Sequence, residues 1–169
     1  FEGGFHGMND SALMSMSPSS SSEPPIARPD SAGIPRSVEK DMLIAPFNNL
    51  EQTADLIKKH QDKIGAVIVE PLQRIIPPLP GFLQGLREIT TDLDIPLIFD
   101  EIVTGFRLAY GGAQEYYGVT PDICTLGKAI AGGFPLAAIA GKNHIMSNFD
   151  MDLSKDGSYL PQIGTLSGN

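Results

Sequence analysis

Three ionisable residues each close a short apolar run. Glu70 follows Ala66-Val67-Ile68-Val69, Asp100 follows Ile95-Pro96-Leu97-Ile98-Phe99, and Lys128, after Gly127, follows Ile123-Cys124-Thr125-Leu126. Asp100 and Glu101 are adjacent, so on an extended chain they point to opposite faces and do not form an acid/base pair by themselves. Glu70 and Asp100 could flank a glycosidic bond, which needs two carboxyls roughly 5–10 Å apart, but no other residue supports a sugar site. Gly127-Lys128 invites a phosphate-loop reading and fails it. That motif needs glycine at 122 and Ser or Thr at 129, where the sequence has Asp122 and Ala129. No Gly-x-Gly-x-x-Gly fingerprint follows a strand either, and Ala131-Gly132-Gly133 reads as a tight turn that lets backbone approach a ligand.

A lysine and an aspartate at neighbouring strand ends suggest a different chemistry. Pyridoxal phosphate needs a lysine for its Schiff base and an acid that keeps its pyridine nitrogen protonated, so that the ring acts as an electron sink. It also needs backbone or hydroxyl donors for its phosphate. The chain offers Lys128, Asp100 and Thr165 for these parts. The alternative for a lone lysine after a strand is a solvated surface residue, the commoner case on residue type alone. The apolar run before Lys128 and the small residues after it favour a sheltered site without deciding between the two.

The elements that must position these groups lie between residues 47 and 141. Asn49 reads as a helix N-cap with Gln52 as its capping-box partner. Leu50, Ala54, Ile57 and Ile64 recur at helical spacing, and Gly65 stands where a C-terminal glycine belongs. Phe82, Leu83, Leu86 and Ile89 mark a second helix. The three apolar runs, and a fourth at Leu136-Ala137-Ala138-Ile139-Ala140, predict strands buried on both faces. Such strands separated by helices predict an α/β fold with a parallel sheet. Ligands bind such sheets beyond the carboxyl ends of the strands, and Glu70, Asp100 and Lys128 would share that rim.

Residues 1–46 are loop-rich. Six of the eight residues from Ser15 to Ser22 are serine, and Pro24, Pro25, Pro29 and Pro35 follow. This stretch is expected to be flexible or held by a partner, with Met8, Leu13, Met14 and Met16 packing as a short amphipathic turn. Glycine-rich punctuation at both ends, Glu2 to Gly7 and Ile163 to Asn169, suggests an internal fragment of a longer chain.

The stretch LIFDEIVTGFRLAYGGAQEYYGVTPDICTLGKAIAGGFPLAAIAG, residues 97–141, resembles the core of the class III pyridoxal-phosphate aminotransferases, and among them the glutamate-1-semialdehyde aminomutases most. FEGGFHG near the start, PDSAGIP at 29–35, AVIVEP at 66–71 and GTLSGN at the end match the same family in the same order. The resemblance covers most of the chain apart from the serine-rich stretch. It implies the large domain of the fold-type I pyridoxal-phosphate transferases, a mostly parallel sheet with flanking helices, here incomplete. Residues 1–46 would be a gating and interface segment, 47–141 the helix–strand core, and 142–169 a connection ending in a phosphate-contacting loop.

The resemblance also implies roles by position. Lys128 resembles the Schiff-base lysine and Asp100 the partner of the pyridine nitrogen. Ile102 resembles the apolar residue on one ring face and Phe5 the aromatic on the other, with His6-Gly7 completing that turn. Thr165 resembles the hydroxyl that reaches the cofactor phosphate of a neighbouring subunit, which implies a homodimer. Glu70 resembles the family's buried strand-end glutamate, in a structural or a catalytic role. Val103 stands where many aminotransferases place a glutamine, as in the aminomutases, whereas Leu72-Gln73-Arg74-Ile75-Ile76 departs from the aminomutases' short glycine-containing turn. Arg74 is either a bidentate holder of a substrate carboxylate or a surface arginine.

The implied activity is amino-group transfer on a small amino or keto substrate, with the cofactor passing through its pyridoxamine form. A classical aminotransferase hands the amine to a separate keto acid, and an aminomutase returns it to the neighbouring carbon. A non-catalytic relative would not need Lys128 and Asp100 together. The 169-residue chain carries a net charge of −8, which argues against a nucleic-acid grip or an anionic-membrane anchor. A single cysteine excludes an internal disulfide framework and a cysteine-rich zinc site. No apolar run approaches the ~18 residues of a membrane helix, so a cytoplasmic setting is expected.

Overall fold

The computed structural model describes residues 1–18, 25–152 and 159–164. Most of the serine run, Lys155 and Thr165 fall outside them. The chain order is α1 (Arg36–Lys40), α2 (Leu50–His60), β1 (Val67–Val69), α3 (Phe82–Asp92), β2 (Leu97–Glu101), α4 (Gly112–Tyr117), β3 (Ile123–Leu126), β4 (Ala138–Gly141) and α5 (Asn143–Met146). Helix α2 starts where its cap predicts, since the Asn49 side chain accepts from the Gln52 N–H. Its end differs from expectation. The helix tightens into a 3₁₀ turn at Gln61–Lys63, and Gly65 has no left-handed backbone and does not cap it. The expected short turn closes between Asn9 and Leu13, whose N–H donates to Asn9 O at 3.0 Å, and Met14 then bridges antiparallel to Pro29; Leu13 and Met14 are buried, but Met8 is exposed and does not join them.

The four strands lie side by side in chain order, β1-β2-β3-β4. Strands β1, β2 and β3 are parallel, joined by α3 and α4 as crossovers. The fourth run does not join them as a parallel strand: β4 is antiparallel to β3. Residues 127–137 hold only a 3₁₀ turn at Lys128–Ala131, and a parallel return needs a crossover of a dozen or more residues.

Val67 pairs with Leu97, Val69 with Phe99, and Phe99 with Cys124, so these side chains share one face of the sheet. Against that face pack Ile57 of α2 and Phe82, Leu83 and Leu86 of α3. Full burial of one such leucine or phenylalanine contributes roughly 1.5–3 kcal/mol. Phe1, Phe47 and Phe82 meet edge to face, with centroids 5.2–6.3 Å apart, and seat the first residues on this layer. Ile98 and Asp100 point to the other face by the two-residue period of the strand.

Asp122, just before β3, ties the layers together at the rim opposite the strand carboxyl ends. It accepts from the Leu97 N–H at 2.7 Å and pairs with Arg87 of α3 at 2.8 Å and with Lys142 after β4 at 2.6 Å. Burial opposes its ionisation, but the Leu97 N–H, Lys142 and Arg87 outweigh that and hold its pKa at about 2. The folded value lies below the ordinary 3.8, so this stabilisation is complete above about pH 4 and disappears as pH falls through about 2. A shift of that size corresponds to about 2 kcal/mol. Asp122→Ala also strands the Leu97 N–H, and should lower the stability of the intact protein by about 2–4 kcal/mol at pH 7. Urea titration checks this, and the deficit should shrink toward pH 2.

Candidate active site

The carboxyl ends of the three parallel strands share one rim. Asp100, next to last in β2, pairs in the ladder with Thr125 of β3. Its Oδ1 accepts from the Thr125 hydroxyl at 3.1 Å and from the Ile102 N–H at 3.2 Å. Its Oδ2 lies 2.7 Å from His6 Nδ1. Burial opposes ionisation of Asp100, but the hydrogen bond and charge of His6, with Ile102 and Thr125, hold the carboxyl below its usual range. An ionised carboxylate offers about four lone-pair positions, and these partners use three, so one remains for a further donor.

His6 arrives on the turn Gly3–Gly7. The backbone at Gly3 is left-handed, with φ +84°, and a Cβ there would stand 2.8 Å from Gln73 Nε2, so a side chain is excluded both by conformation and by space. The turn is tied to the end of β1. Glu70 Oε2 accepts from the Phe5 N–H at 3.2 Å, Gln73 Nε2 donates to Glu2 O at 2.8 Å, and Arg74 Nε donates to Gly3 O at 2.9 Å. Glu70 is buried, and burial pushes its carboxyl up, with the Asp100 charge adding to the shift against the Phe5 N–H, His6 and Arg74. Glu70 and Asp100 are thus neighbours pushed in opposite directions. Phe5 is 40% exposed and therefore stands at the rim rather than in the core. His6 Nε2 is buried with no partner among the described residues.

Lys128 opens the 3₁₀ turn after β3. It is exposed, has a left-handed φ of +42°, and takes part in no ion pair among the described residues. A non-glycine residue keeps such a backbone only where its surroundings enforce it. Gly127 just before it lets Ile102 approach: a Cβ there would stand 3.1 Å from Ile102 Cδ1. Lys142 is committed to Asp122 at the opposite rim.

Phe5, His6, Asp100 and Ile102 therefore meet at one rim, and Lys128 stands on the adjacent strand end. Thr165 lies outside the described residues. The sequence reading names His6 as a cofactor-binding residue but misses its contact with Asp100, and it misses Gln73 and Thr125 as contributors. His6 touches Asp100 across 94 residues, and Gln73 anchors the turn from 71 residues away; no local pattern signals either. Thr125 was accessible, since aligning the ends of the second and third apolar runs sets it beside Asp100.

The sequence profile of the class III aminotransferases matches residues 1–169. The chain belongs to this family. It is 45% identical over 171 positions to a glutamate-1-semialdehyde 2,1-aminomutase from Methanosarcina acetivorans, covering 99% of this chain and 38% of that protein. Among solved structures, an omega-transaminase from Sphaerobacter thermophilus superposes with a TM-score of 0.89 at 39% identity, covering 97% of this chain and 38% of the other. A transaminase with pyridoxal phosphate bound superposes at 0.84 and 31% identity, covering 96% of this chain and 37% of the other. The chain thus spans 38% of the length of its curated aminomutase relative. The sheet with its rim of strand ends is the part of the family fold that it carries.

If His6 is what keeps Asp100 ionised, His6→Leu should raise the Asp100 carboxyl pKa. A carbon-13 carboxyl titration of the intact protein reads this directly. An unmoved Asp100 would mean that Thr125 and the Ile102 N–H suffice.

Proposed function

We propose that this chain is the cofactor-bearing part of a pyridoxal-phosphate enzyme that moves an amino group to or from a small amino or keto substrate. The observation that supports it most is the ionised Asp100, with an acceptor position left over, on the strand end beside a left-handed Lys128 that forms no ion pair among the described residues. This donor set fits the cofactor: an anion for a protonated ring nitrogen, a free amine, and the apolar Ile102 and Phe5 for the two ring faces. When bound, pyridoxal phosphate supplies an electron sink for charge developing on the substrate carbon, alternating with its pyridoxamine form.

The chain's own residues divide the remaining work. Asp100 holds the proton on the ring nitrogen by a charge-assisted hydrogen bond, a class of contact worth about 1.5–3 kcal/mol. His6, Thr125 and the Ile102 N–H orient that carboxylate and keep it charged. Ile102 and Phe5 exclude water from the two sides of the ring. Lys128 would hold the cofactor through its amine, and the same amine would take a proton from one carbon and return it to another as general base and acid. Thr165 serves the cofactor phosphate of a neighbouring subunit in a homodimer, residues 1–46 form the gating and interface segment of that assembly, and the enzyme works in the cytoplasm. No helix among the described residues is long and apolar enough to cross a membrane.

A second reading is the intramolecular variant, a glutamate-1-semialdehyde 2,1-aminomutase. The apolar Val103 and the 45% identical aminomutase favour it, while the turn from Leu72 to Ile76 does not. Amine exchange with a separate keto acid, as against return of the amine to the same carbon skeleton, distinguishes the two.

Borohydride reduction of the intact holoenzyme followed by peptide mapping should find a pyridoxyl group on Lys128. Its recovery on Lys142 or Lys155 would overturn the assignment. Asp100→Asn should keep the cofactor on Lys128 while turnover falls by roughly two orders of magnitude or more, because a neutral amide does not hold the ring nitrogen protonated. Near wild-type turnover would remove Asp100 from that part.

A further inference from the structure

We infer that Arg74 is the substrate-carboxylate anchor of this site, so that the amino-group donor is an amino acid rather than a simple amine. The inference rests on the amino-transfer reading and adds the substrate class to it.

Arg74 sits at the tip of the tight reversal after β1, where Gln73 and Ile76 exchange both backbone hydrogen bonds, at 3.0 and 2.9 Å. Its backbone is left-handed, with φ +57°, a conformation that costs a branched-free side chain free energy and persists where neighbours impose it. The neighbours here are specific. Gln73 Nε2 reaches Glu2 O at 2.8 Å and Arg74 Nε reaches Gly3 O at 2.9 Å. Two consecutive side chains thus fasten the reversal to the turn that carries Phe5 and His6. A surface arginine selected for solvation needs neither the backbone nor the clamp.

With Nε engaged, the guanidinium is oriented and its two Nη groups form a free fork. They have no acceptor among the described residues. Glu70 is near enough for the Arg74 charge to act on its carboxyl, yet the two form no ion pair, because Glu70 is turned toward the Phe5 N–H. The rim already holds the carboxylates of Glu70 and Asp100, so an anionic substrate would be repelled unless a fixed cation received it. Lys128 is committed to the chemistry. Among the described residues Arg74 is a cation whose side chain is fixed to this rim by a hydrogen bond, and a planar fork suits a carboxylate better than a point charge does. Ile75, at 90% exposed, and the half-exposed Ile76 flank it and offer an apolar surface to the carbon skeleton of the same molecule.

The test uses the intact holoenzyme and donors paired so that only the carboxylate differs: β-phenylalanine with 1-phenylethylamine, 4-aminobutanoate with propylamine, and alanine with ethylamine. Loss of the visible cofactor band in single turnover gives a saturation constant and a limiting rate for each. The wild type should favour the acid in at least one pair. Arg74→Met should raise that acid's saturation constant by roughly tenfold or more, the loss expected for one bidentate charged contact. Acid and amine alike meet a site that has lost the Nε bond to Gly3 O, so the reading is the ratio: the acid-to-amine preference should fall by roughly tenfold or more, and Arg74→Lys should recover part of it. Equilibrium binding of 3-phenylpropanoate, read from the shift of the visible band, should weaken in parallel without any turnover. An acid preference that survives Arg74→Met, or a wild type with no acid preference in any pair, would overturn the assignment. A wild type that never carries the cofactor band would overturn the amino-transfer reading itself, and the Arg74 assignment with it.

Discussion

An ionised carboxylate at a nearly dry strand end is unstable without partners, and Asp100 draws its partners from three separate stretches of chain. Thr125 comes from the next strand, the Ile102 N–H from the chain just beyond β2, and His6 from a turn 94 residues upstream. Removing water from a carboxylate costs several kcal/mol unless hydrogen bonds replace it. The site's geometry follows from meeting that cost. The His6 turn must cross the rim, so Gly3 must be free of a side chain, and Glu70, Gln73 and Arg74 must hold the turn from the end of β1.

The pleat of β2 separates two buried acids with different duties. Asp100 faces the rim side, while Glu101, fully buried on the helix side, accepts from the Thr104 hydroxyl at 3.0 Å, the Ala113 N–H at 2.5 Å and Gln114 Nε2 at 2.9 Å. The carboxylate at the start of α4 satisfies a backbone donor that the helix itself leaves unpaired and suits the positive end of its dipole. Adjacent acids in sequence are thus one rim residue and one structural strut, as their opposite directions on an extended chain require. Cys124, on the same face, is a core residue: burial raises its thiol pKa and leaves it unreactive.

The site was legible where burial writes a simple pattern. Parallel strands appear as unbroken apolar runs, and the first charged residue after each marks the rim, which is why Glu70, Asp100 and Lys128 could be grouped without coordinates; the expected burial on both faces holds only for β2, since β1 and β3 are half-buried on one face and β4 is mostly exposed. The direction of β4 was not legible from its composition, because an antiparallel edge strand packed beside β3 needs the same small apolar residues as a parallel one. The information lay in the connection, too short between 127 and 137 for a helical return. The cap at Asn49 is local and was readable; the behaviour of Gly65 was not, because a helix that tightens into a 3₁₀ turn ends without a left-handed residue. His6 and Gln73 act across 94 and 71 residues, and such pairings depend on the fold being in place.

The antiparallel return also bears on the lysine. After Leu126 the chain must leave the sheet, reverse and re-enter as β4 within eleven residues, since β4 begins at Ala138. A reversal that tight requires left-handed backbone, and the structure has it at Lys128, Gly132 and Gly133. Glycine accepts that conformation without strain; lysine does not, and a glycine at 128 would fold more easily. The strain at Lys128 is local, and its exposed side chain forms no ion pair among the described residues that would offset it. A lysine at the costlier position of a turn, with glycines at cheaper ones, accords with the role proposed for that side chain. The same crossing of the rim leaves Gly127 extended against Ile102, so Ile102 and Lys128, the two residues for which roles at this rim are proposed, are positioned by a single change of strand direction.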